Sequence, residues 1–584
     1  MHIPSRPSRF ASAFGISGLL AIANSSWAGN DAGAQIRRYQ DETQQRLAPK
    51  QVEDKTTVQP VQSRSKAAAS SSDSKVHVAA FRVLGVTRFS SDEIATVLQP
   101  FAGKELDTSG IHAAADALNT HYRKAGYFIA KVFVPPQEVS DTIQLDVYEG
   151  YLDNKGIEVV NKGTRVRSSV VQEILEANIK VDDPIERRSY ERALLIAEDL
   201  PGVTTSSTLY PGEYVGSARL RTNLNDLAFF SGNIDIDNFG SESTGKTRLG
   251  STLYLNSPGQ VGDQVVARLV TSGQASNYGY LTYLRPVSSS GTRLGASLDY
   301  YGYNSDYINN LGYSEGSASD LRLYLTYPLL RSRHGNLNLR ADLSQLQIDD
   351  RNDLQINAKR RVDSVTLALH GDDDHEWMGT GLSIFDASVT GGMINIEGNA
   401  AYRSIDQATA GTDGRFTRFN ISVSRLQQLS KQWSLYGKLS AQLASGNLDS
   451  SQKFFLGGAS SVSGYPLGEA SGDQGMDLAV ELRRDFVVPW GGTLMAGLAY
   501  QQGWLTNHKS PWNGWQGSNS IIENDISMKS LGVSLVQTLP GAWVLRGQLG
   551  WQLGDNPMRD PLTGSASDGK KQQYRGWFQA IHYF

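Results

Sequence analysis

From Phe230 to Phe584 the chain carries one pattern almost without interruption, in which apolar and polar residues alternate one by one. In the stretch 320–327, for example, leucine recurs at positions 321, 323 and 325. A repeat of two residues is typical of a β-strand with one apolar face and one polar face. Helical membrane spans are excluded, because no run of about 18 apolar residues follows residue 28. The pattern therefore predicts a mainly β chain, which is either a soluble sandwich or a transmembrane barrel.

Three features favour the barrel. About 16 strands can be parsed after residue 226, an even number such as single-chain outer-membrane barrels require. Long and short connections alternate, as outside loops and periplasmic turns do. The chain stops on an aromatic residue, Phe584, in phase with Phe578 and Tyr574. The sequence predicts a 16-stranded antiparallel transmembrane β-barrel over 226–584. Its long connections are 304–317, 391–413, 446–473 and 504–524, and its short ones 286–291, 427–431 and 538–541.

The amino terminus contains three different segments. Basic residues, an apolar stretch and the small residues at 26 and 28 predict a signal peptide over 1–28, hence export. Residues 29–48 predict a helix that is polar nearly all round, with Ile36 and Tyr39 among its few apolar residues and Arg37 and Arg38 between them. Such a helix suits the wet lumen of a barrel of this size, which something must plug. Residues 49–75, rich in Ser, Ala, Lys and Gln, predict a linker.

Between the linker and the barrel, the order strand, helix, helix, strand, strand occurs twice. The first unit covers 76–150, with strands expected at 78–83, 127–134 and 142–148 and a helix around the stripe 111–125. The second covers 151–225, with helices expected at 168–177 and 185–199. Two tandem α+β units of about 75 residues therefore precede the barrel.

Composition and motifs exclude several kinds of site. The formal net charge of -4 offers no basic excess for nucleic acid, and the absence of cysteine excludes thiolate chemistry and zinc fingers. The acidic run 372–376 is interpreted as a solvated turn, and the calcium-like start 235–240 has Lys246 where a glutamate is needed. No catalytic motif occurs. We expect no enzyme activity, no cofactor and no metal site.

A set of short motifs occurs in the order seen in one known family. The chain resembles the two-partner secretion (type Vb) outer-membrane transporters, the TpsB or haemolysin-activator (ShlB/FhaC/HecB-like) family. Their two periplasmic domains are called POTRA domains. The first-domain motif is carried by Gly126, Tyr127, Pro136, Gln137, Glu149 and Gly150, and the second-domain motif by Leu200, Pro201 and Gly202. The sixth outside loop and the strands facing it carry Val462, Ser463, Gly464, Tyr465, Gly472, Asp473, Gly475, Glu481, Gln501 and Gly503. Phe584 matches the carboxy-terminal barrel signal.

The chain departs from the family at two matching positions. The resemblance implies an arginine in the sixth-loop motif that meets an aspartate on barrel strand 13, but here these positions are Ser463 and Gln501. Loss of one partner of a buried charge pair is costly, whereas loss of both can be nearly neutral. We therefore expect the loop to fold inward on neutral contacts, and the short Ser463 leaves a direct bond to Gln501 open.

The resemblance also implies a function. It implies an outer-membrane transporter of a Gram-negative bacterium, with POTRA domains in the periplasm that recognise a partner exoprotein carrying an amino-terminal secretion domain. The partner, a haemolysin, adhesin or toxin, would cross the barrel unfolded and without ATP, displacing the helix. Other expected partners are outer-membrane lipid and the machinery that inserts barrels. An assembly insertase of the same superfamily is the alternative; a diffusion porin would lack the two tandem units, and an adhesin would need long decorated loops.

Overall fold

The computed structural model describes residues 31–47 and 75–584, except 139, 182, 274, 306–313, 353–356, 376–377 and 517–521. The predicted signal peptide, and the predicted linker apart from Lys75, lie outside these residues. The described chain begins with helix α1, Ala32–Leu47, in the segment where a helix is expected. None of the helices in the described part is long and apolar enough to cross a membrane.

The first tandem unit contains strands β1 (Val76–Val78), β2 (Ala80–Leu84), β3 (Lys104–Leu106), β4 (Lys131–Phe133) and β5 (Thr142–Tyr148), with helices α2 (Ser91–Leu98) and α3 (Thr108–Lys124). Strand β5 lies between β2, which is parallel to it, and β4, which is antiparallel. Ser90 and Glu93 form a capping box that begins α2.

Two strand predictions in this unit were inaccurate. The strand expected at 78–83 is split, because the amides of Ala79 and Ala80 both donate to the carbonyl of Asp141. This lets β1 pair with β3 while β2 pairs with β5. The strand expected at 127–134 is only β4, because the chain first turns through Gly126 in a positive φ of 98°.

The second unit repeats this plan with strands β6 (Tyr151–Asn161), β7 (Val203–Pro211) and β8 (Ser217–Asp226) and helices α4 (Ser168–Asn178) and α5 (Arg187–Glu198). Strand β8 lies between β6, which is parallel to it, and β7, which is antiparallel. Helix α5 begins two residues later than expected, because the amide of Ile185 donates to the carbonyl of Gly150 and Pro184 bridges Tyr151. Both helices pack one apolar face on the sheet, and the unit has its own core.

The rest of the chain forms one closed antiparallel barrel, as the sequence predicts. We number its sixteen strands 1 to 16 in chain order. They are Phe230–Asp237, Arg248–Asn256, Gln264–Thr271, Ser276–Pro286, Arg293–Ser305, Ser314–Arg331, Gly335–Asn352, Asn357–Asp373, Gly381–Glu397, Gly414–Gln428, Trp433–Ala444, Gln474–Val487, Thr493–Thr506, Asp525–Leu539, Trp543–Gln552 and Tyr574–Tyr583. Strand 16 pairs with strand 1 and closes the ring.

The alternating residues separate into two faces as predicted. Leu321, Leu323 and Leu325 point outward and are 55%, 51% and 41% exposed, whereas Asp320 is buried inside. Phe584 lies on the outer face, stacked on Phe230 with ring centroids 5.7 Å apart. Because strand 1 follows directly from the second tandem unit, connections after odd strands lie on the far side of the barrel.

The expected connection 391–413 was placed too early. Strand 9 continues to Glu397, with Ile394 and Ile396 buried inside, and Gly391 and Gly392 only interrupt its apolar pattern. The connection that follows contains helix α6, Ala400–Ala408.

The interior of the barrel is not uniformly wet, which corrects the expectation of a polar lumen. Helix α1 lies inside, and its Ala32, Ile36 and Tyr39 join a buried cluster contributed by the wall. That cluster includes Tyr278, Tyr301, Tyr303, Leu346, Ile348, Val362, Ile394 and Phe416. The few apolar residues of α1 therefore have apolar partners, so this part of the lumen is a packed core.

Candidate functional site

The sixth outside loop, between strands 11 and 12, folds back into the barrel. Its arms pair as a short hairpin, Phe454–Leu456 with Ala470–Gly472. The motif at its tip is enclosed: Val462 is 1% exposed, and Ser463 and Tyr465 are fully buried. Tyr465 and Val462 pack with Leu456, Leu505 and Met528 in a small apolar cluster. The loop therefore fills part of the lumen beside strands 13 and 14.

Ser463 contacts Gln501 directly. The Oε1 atom of Gln501 accepts from the Ser463 hydroxyl at 2.7 Å and from the Ser463 amide at 2.9 Å. It also accepts from the hydroxyl of Ser530 at 2.9 Å. Three neutral donors thus converge on one amide oxygen where the family pattern has an arginine and an aspartate.

Sequence reasoning missed three further residues that hold the tip. The indole Nε1 of Trp577 donates to the carbonyl of Ser463 at 2.8 Å, and the side chain of Gln552 donates to the carbonyl of Gly464 at 3.1 Å. At Gly550 a Cβ atom would lie 2.5 Å from Ser463. These residues point inward on strands 15 and 16, so an alternation count could have marked them as inward-facing, but not as partners of the loop.

The predicted glycines of strands 12 and 13 make room for the loop. A Cβ atom at Gly475 would lie 2.5 Å from the ring of Phe454, and one at Gly503 would lie 2.6 Å from Leu456. At Gly472 it would lie 2.4 Å from the carbonyl oxygen of Thr506. A side chain at any of these positions would displace the hairpin.

Asp473 and Glu481 have different surroundings. Asp473 is fully buried and accepts from the amides of Leu448 and Lys509, with the Lys453 ammonium 3.3 Å away. Asp473, at the end of the sixth loop, therefore bonds to the start of that loop at Leu448 and to the next outside loop at Lys509. Glu481 bonds to Arg483 and Ser534, and to no sixth-loop residue among those described.

One end of helix α1 is held by a buried charge cluster, which we call the Arg360 cluster. Arg360 on strand 8 is 2.6 Å from Asp350 on strand 7, 3.2 Å from Asp31 and 2.7 Å from Asp449 in the sixth loop. Asp31 also caps the helix by accepting from the amide of Ala34 at 2.8 Å. One guanidinium thus connects the helix, the loop and the wall.

The other end of α1 meets the opposite side of the barrel in a second cluster, which we call the Glu42 cluster. Glu42 lies 3.0 Å from Arg248 and 2.7 Å from Arg46, and Arg46 is 2.9 Å from Asp235. Three arginines and three carboxylates balance in charge, as burial requires. The members are Glu42, Arg46, Asp235, Asp237, Arg248 and Arg268.

The four predicted residues in the middle of α1 separate into two pairs. Ile36 is fully buried, and Tyr39 stacks on Tyr278 with ring centroids 4.8 Å apart. Arg38 lies over the ring of Phe455 in the sixth loop, 5.1 Å from its centroid. Arg37 pairs with Asp41 of the same helix at 3.3 Å. Helix and loop therefore pack on each other as well as on the wall.

Glu149 is a buried junction in the first tandem unit. Its carboxylate accepts from the amides of Thr87 and Arg88, at 2.8 and 3.0 Å, and from the hydroxyls of Thr87, Tyr122 and Tyr151. Burial by itself raises the pKa of Glu149, but the Thr87, Tyr122 and Arg88 hydrogen bonds outweigh it and hold that pKa below its ordinary value. Tyr151 begins the second unit, so the junction connects the two.

The other predicted residues of the tandem units have structural contacts. Gly126 and Gly150 adopt positive φ at the unit boundary, and the Gly126 carbonyl accepts from the amide of Arg187 in α5. The side chain of Gln137 bonds to the main chain of Gln144 through both its oxygen and its nitrogen. Tyr127 packs on the ring of Phe89. Pro136 lies in the bend between β4 and β5.

The second unit docks on the near-side turns of the barrel. Asp199, at the end of α5, receives a two-fold contact from Arg331 at 2.7 and 2.8 Å. Arg192 donates to the carbonyls of Ser290 and Pro328. Leu200 packs at Gly262, and Gly202 at Ser257, so the second-domain motif formed with Pro201 lies at this interface.

Among the described residues, no three histidine or carboxylate side chains are placed to hold one ion.

Comparisons with known proteins match this geometry. The family model described as haemolysin secretion/activation protein ShlB/FhaC/HecB matches residues 216–522, more than half of the chain. The model of the ShlB-type POTRA domain matches residues 76–150. The chain belongs to the ShlB/FhaC/HecB family. It is a two-partner secretion transporter of the outer membrane, with its POTRA domains in the periplasm, and its relatives are transporters rather than enzymes.

Two curated relatives cover most of the chain. The heme/hemopexin transporter protein HuxB of Haemophilus influenzae strain 86-028NP is 25% identical over 499 residues, covering 85% of this chain and 84% of its own. The outer membrane transporter CdiB of Escherichia coli is 25% identical over 445 residues, covering 73% and 72%. The solved structure of CdiB from Escherichia coli covers 96% of this chain and 100% of its own, with a TM-score of 0.74 at 19% identity, which shows the shared fold.

Proposed function

We propose that this family member recognises one partner exoprotein through its POTRA domains and passes it unfolded through the barrel to the cell surface or the medium, without ATP. The observation that carries the proposal is the occupied lumen. Helix α1 is anchored at both ends by charged residues, and a long loop is folded inward beside it. A helix and a loop inside the lumen can move aside to admit a polypeptide, whereas the closed wall of strands cannot.

Edge strands in both POTRA domains support recognition by strand addition. In the first POTRA domain, Gln137 covers part of the β5 edge beyond the short β4, whereas β2 forms the other edge of the sheet. In the second, β6 and β7 are the edge strands. An extended client segment can pair with such an edge through its main chain, while side-chain pockets supply selectivity.

The partner class is proposed only at the level of a large exoprotein with an amino-terminal secretion domain. One relative is named a heme/hemopexin transporter and the other the outer membrane transporter CdiB. These names do not point to one class of client, so the chemistry of the client is left to experiment. We propose outer-membrane lipid and the barrel-insertion machinery as the further partners. Folding of the client outside would make its passage one-way.

A crosslink between helix and loop tests the transport step. A Cβ atom on Gly33 would lie 3.1 Å from the Cβ of Ser451, close to disulfide geometry, and the chain has no cysteine of its own. The double variant Gly33→Cys and Ser451→Cys should block export of a co-expressed exoprotein under oxidising conditions. Reductant should restore export to the level of the two single variants. Normal export by the crosslinked protein, with the crosslink verified by mass spectrometry, would reject transport through the lumen.

The alternative is an assembly insertase, which shares the barrel. The solved structure of BamA from Haemophilus ducreyi matches with a TM-score of 0.51 at 12% identity, which shows only the fold. If the protein is an insertase, the crosslink should reduce the amounts of other outer-membrane barrels in the same cells while exoprotein export continues.

A further inference from the structure

The lipid-facing surface contains a shallow groove of about 620 Å³ on strands 6 to 10. Its lining includes outward residues that are next to one another in the strand register. Leu323, Leu343, Val365 and Gly391 form one continuous row across four strands. The next row, on the side away from the POTRA domains, contributes Leu321, Gln345, Asp363, Met393 and Arg415. We call this the Arg415 groove.

Gly391 creates the depression. A Cβ atom at Gly391 would meet nothing within 4 Å, so the position is open space. The next row toward the periplasm is filled by larger side chains, including Leu367, Val389 and Phe419. The missing side chain therefore leaves a notch in an apolar wall, within the groove of about 620 Å³.

The groove is lined by two charged residues, Arg415 and Asp363, and Arg415 is the cation. It is exposed and makes no hydrogen bond or ion pair with any residue in the described part of the chain. The neighbouring charges are satisfied: Arg361 lies 3.1 Å from Asp363 and 3.3 Å from Glu397, and Lys359 lies 3.4 Å from Asp349. One guanidinium beside an apolar notch is thus left for an external anion.

The position of Arg415 along the wall identifies the leaflet. It is the second residue of strand 10, at the end that lies on the side away from the POTRA domains. Charged residues on the lipid face of a barrel cost little near the interface and several times more at the midplane. Arg415 therefore lies at the level of the outer-leaflet head groups, with the apolar part of the groove below it.

We propose that the Arg415 groove binds one phosphorylated, acylated glycolipid of the outer leaflet, a lipopolysaccharide, with a phosphate on Arg415 and an acyl chain in the notch at Gly391. A guanidinium matches phosphate geometry with two parallel hydrogen bonds. The occupant is a lipid because the groove opens on the hydrocarbon-facing side of the wall. It is a phosphorylated glycolipid because the groove faces the leaflet in which lipopolysaccharide lies.

Native mass spectrometry on the full chain, purified in detergent and stripped of lipid, tests this directly. We expect one short-chain lipopolysaccharide to bind per protein and phosphatidylglycerol to bind more weakly. Arg415→Gln should weaken lipopolysaccharide binding about tenfold, as expected for the loss of a charge-assisted hydrogen bond. Gly391→Leu, which fills the notch, should weaken it to a similar extent.

The chain offers matched controls. Gly547 on strand 15 lies between the outward residues Leu535 and Phe578 and is also open space, so Gly547→Leu should leave binding unchanged. Arg285 lies at the periplasmic end of strand 4, so Arg285→Gln should also leave it unchanged. The proposal would be overturned if both groove variants bound lipopolysaccharide as the wild type does, or if the controls lost as much binding as the groove variants. It would also be overturned if phosphatidylglycerol bound as well as lipopolysaccharide. No client is needed, so the outcome is independent of the proposed function.

Discussion

At position 463 a hydroxyl lies where the family pattern has a guanidinium, and the surroundings have changed with it. The oxygen of Gln501 receives the Ser463 hydroxyl and amide and the Ser530 hydroxyl, and no charged group takes part. Trp577 holds the carbonyl on the other side of the same residue. Because the amide, hydroxyl and carbonyl of Ser463 all have partners, this residue can be buried without the desolvation penalty of an ion.

Restoring only one charge should be harmful. We expect Ser463→Arg to impair exoprotein export, because a cation would be buried beside the uncharged Gln501, at a cost of about 3–5 kcal/mol. Adding Gln501→Asp should recover part of the export by supplying the counter-charge. Export into the medium, normalised to the amount of barrel in the outer membrane, is the measurement. Equal export by the single and double variants would show that the two positions are not coupled.

The sequence could place these two residues opposite each other, but not the full contact. Strand counting and motif order located Ser463 in the sixth loop and Gln501 on strand 13. The roles of Trp577, Gln552 and Gly550 depend on how deeply the loop inserts, which is set by three-dimensional packing that alternation does not encode. Likewise, Glu481 shares its strand with loop-facing residues yet bonds elsewhere.

At the scale of single elements, helix α1 illustrates how a nearly all-polar helix can be stable. Sixteen residues make a helix about 24 Å long, and α1 reaches from strands 7 and 8 to strands 1 to 3. Its ends carry the charges and its middle carries Ile36 and Tyr39, which meet aromatic and aliphatic residues of the wall. The sequence predicted the helix and its polar character, but the apolar patch of the wall is assembled from many strands and was missed.

The Arg360 cluster should control how firmly the helix is held. Arg360→Gln leaves Asp31, Asp350 and Asp449 without their shared cation, and we expect α1 to leave the lumen more often. Ion conductance across planar bilayers containing the purified protein should therefore rise. Arg37→Gln is the control, because Arg37 pairs only with Asp41 within the helix among the contacts described here. Conductance that does not differ between the two variants would contradict an anchoring role for the cluster.

At the scale of the whole molecule, the docking of the second POTRA domain determines how the periplasmic part sits on the barrel. Arg331 and Asp199 form a two-fold charged contact, and Arg192 and Arg293 add bonds to main-chain carbonyls. The fold class of both parts followed from the sequence. This interface did not, because it joins turns whose residues have no periodic pattern.

Breaking the docking contact should weaken export without unfolding either part. We expect Arg331→Gln to reduce export and to increase hydrogen exchange at the end of α5, because a two-fold contact to a charged group is worth about 1.5–3 kcal/mol. The exchanged pair Arg331→Asp with Asp199→Arg should recover part of both. Arg221→Gln, which removes an exposed and solvent-screened pair with Glu158, is the control. Unchanged exchange in Arg331→Gln would show that the domain is held by other contacts.

This docking also makes the periplasmic entrance of the barrel asymmetric. The second POTRA domain contacts the turns that join strands 2 and 3, 4 and 5, and 6 and 7, all on one half of the rim. If a polypeptide enters the barrel as proposed, it therefore has to approach from the opposite half and pass beside the domain. On that path the first lumen residues it would meet are those of the later strands, beneath the folded-in sixth loop.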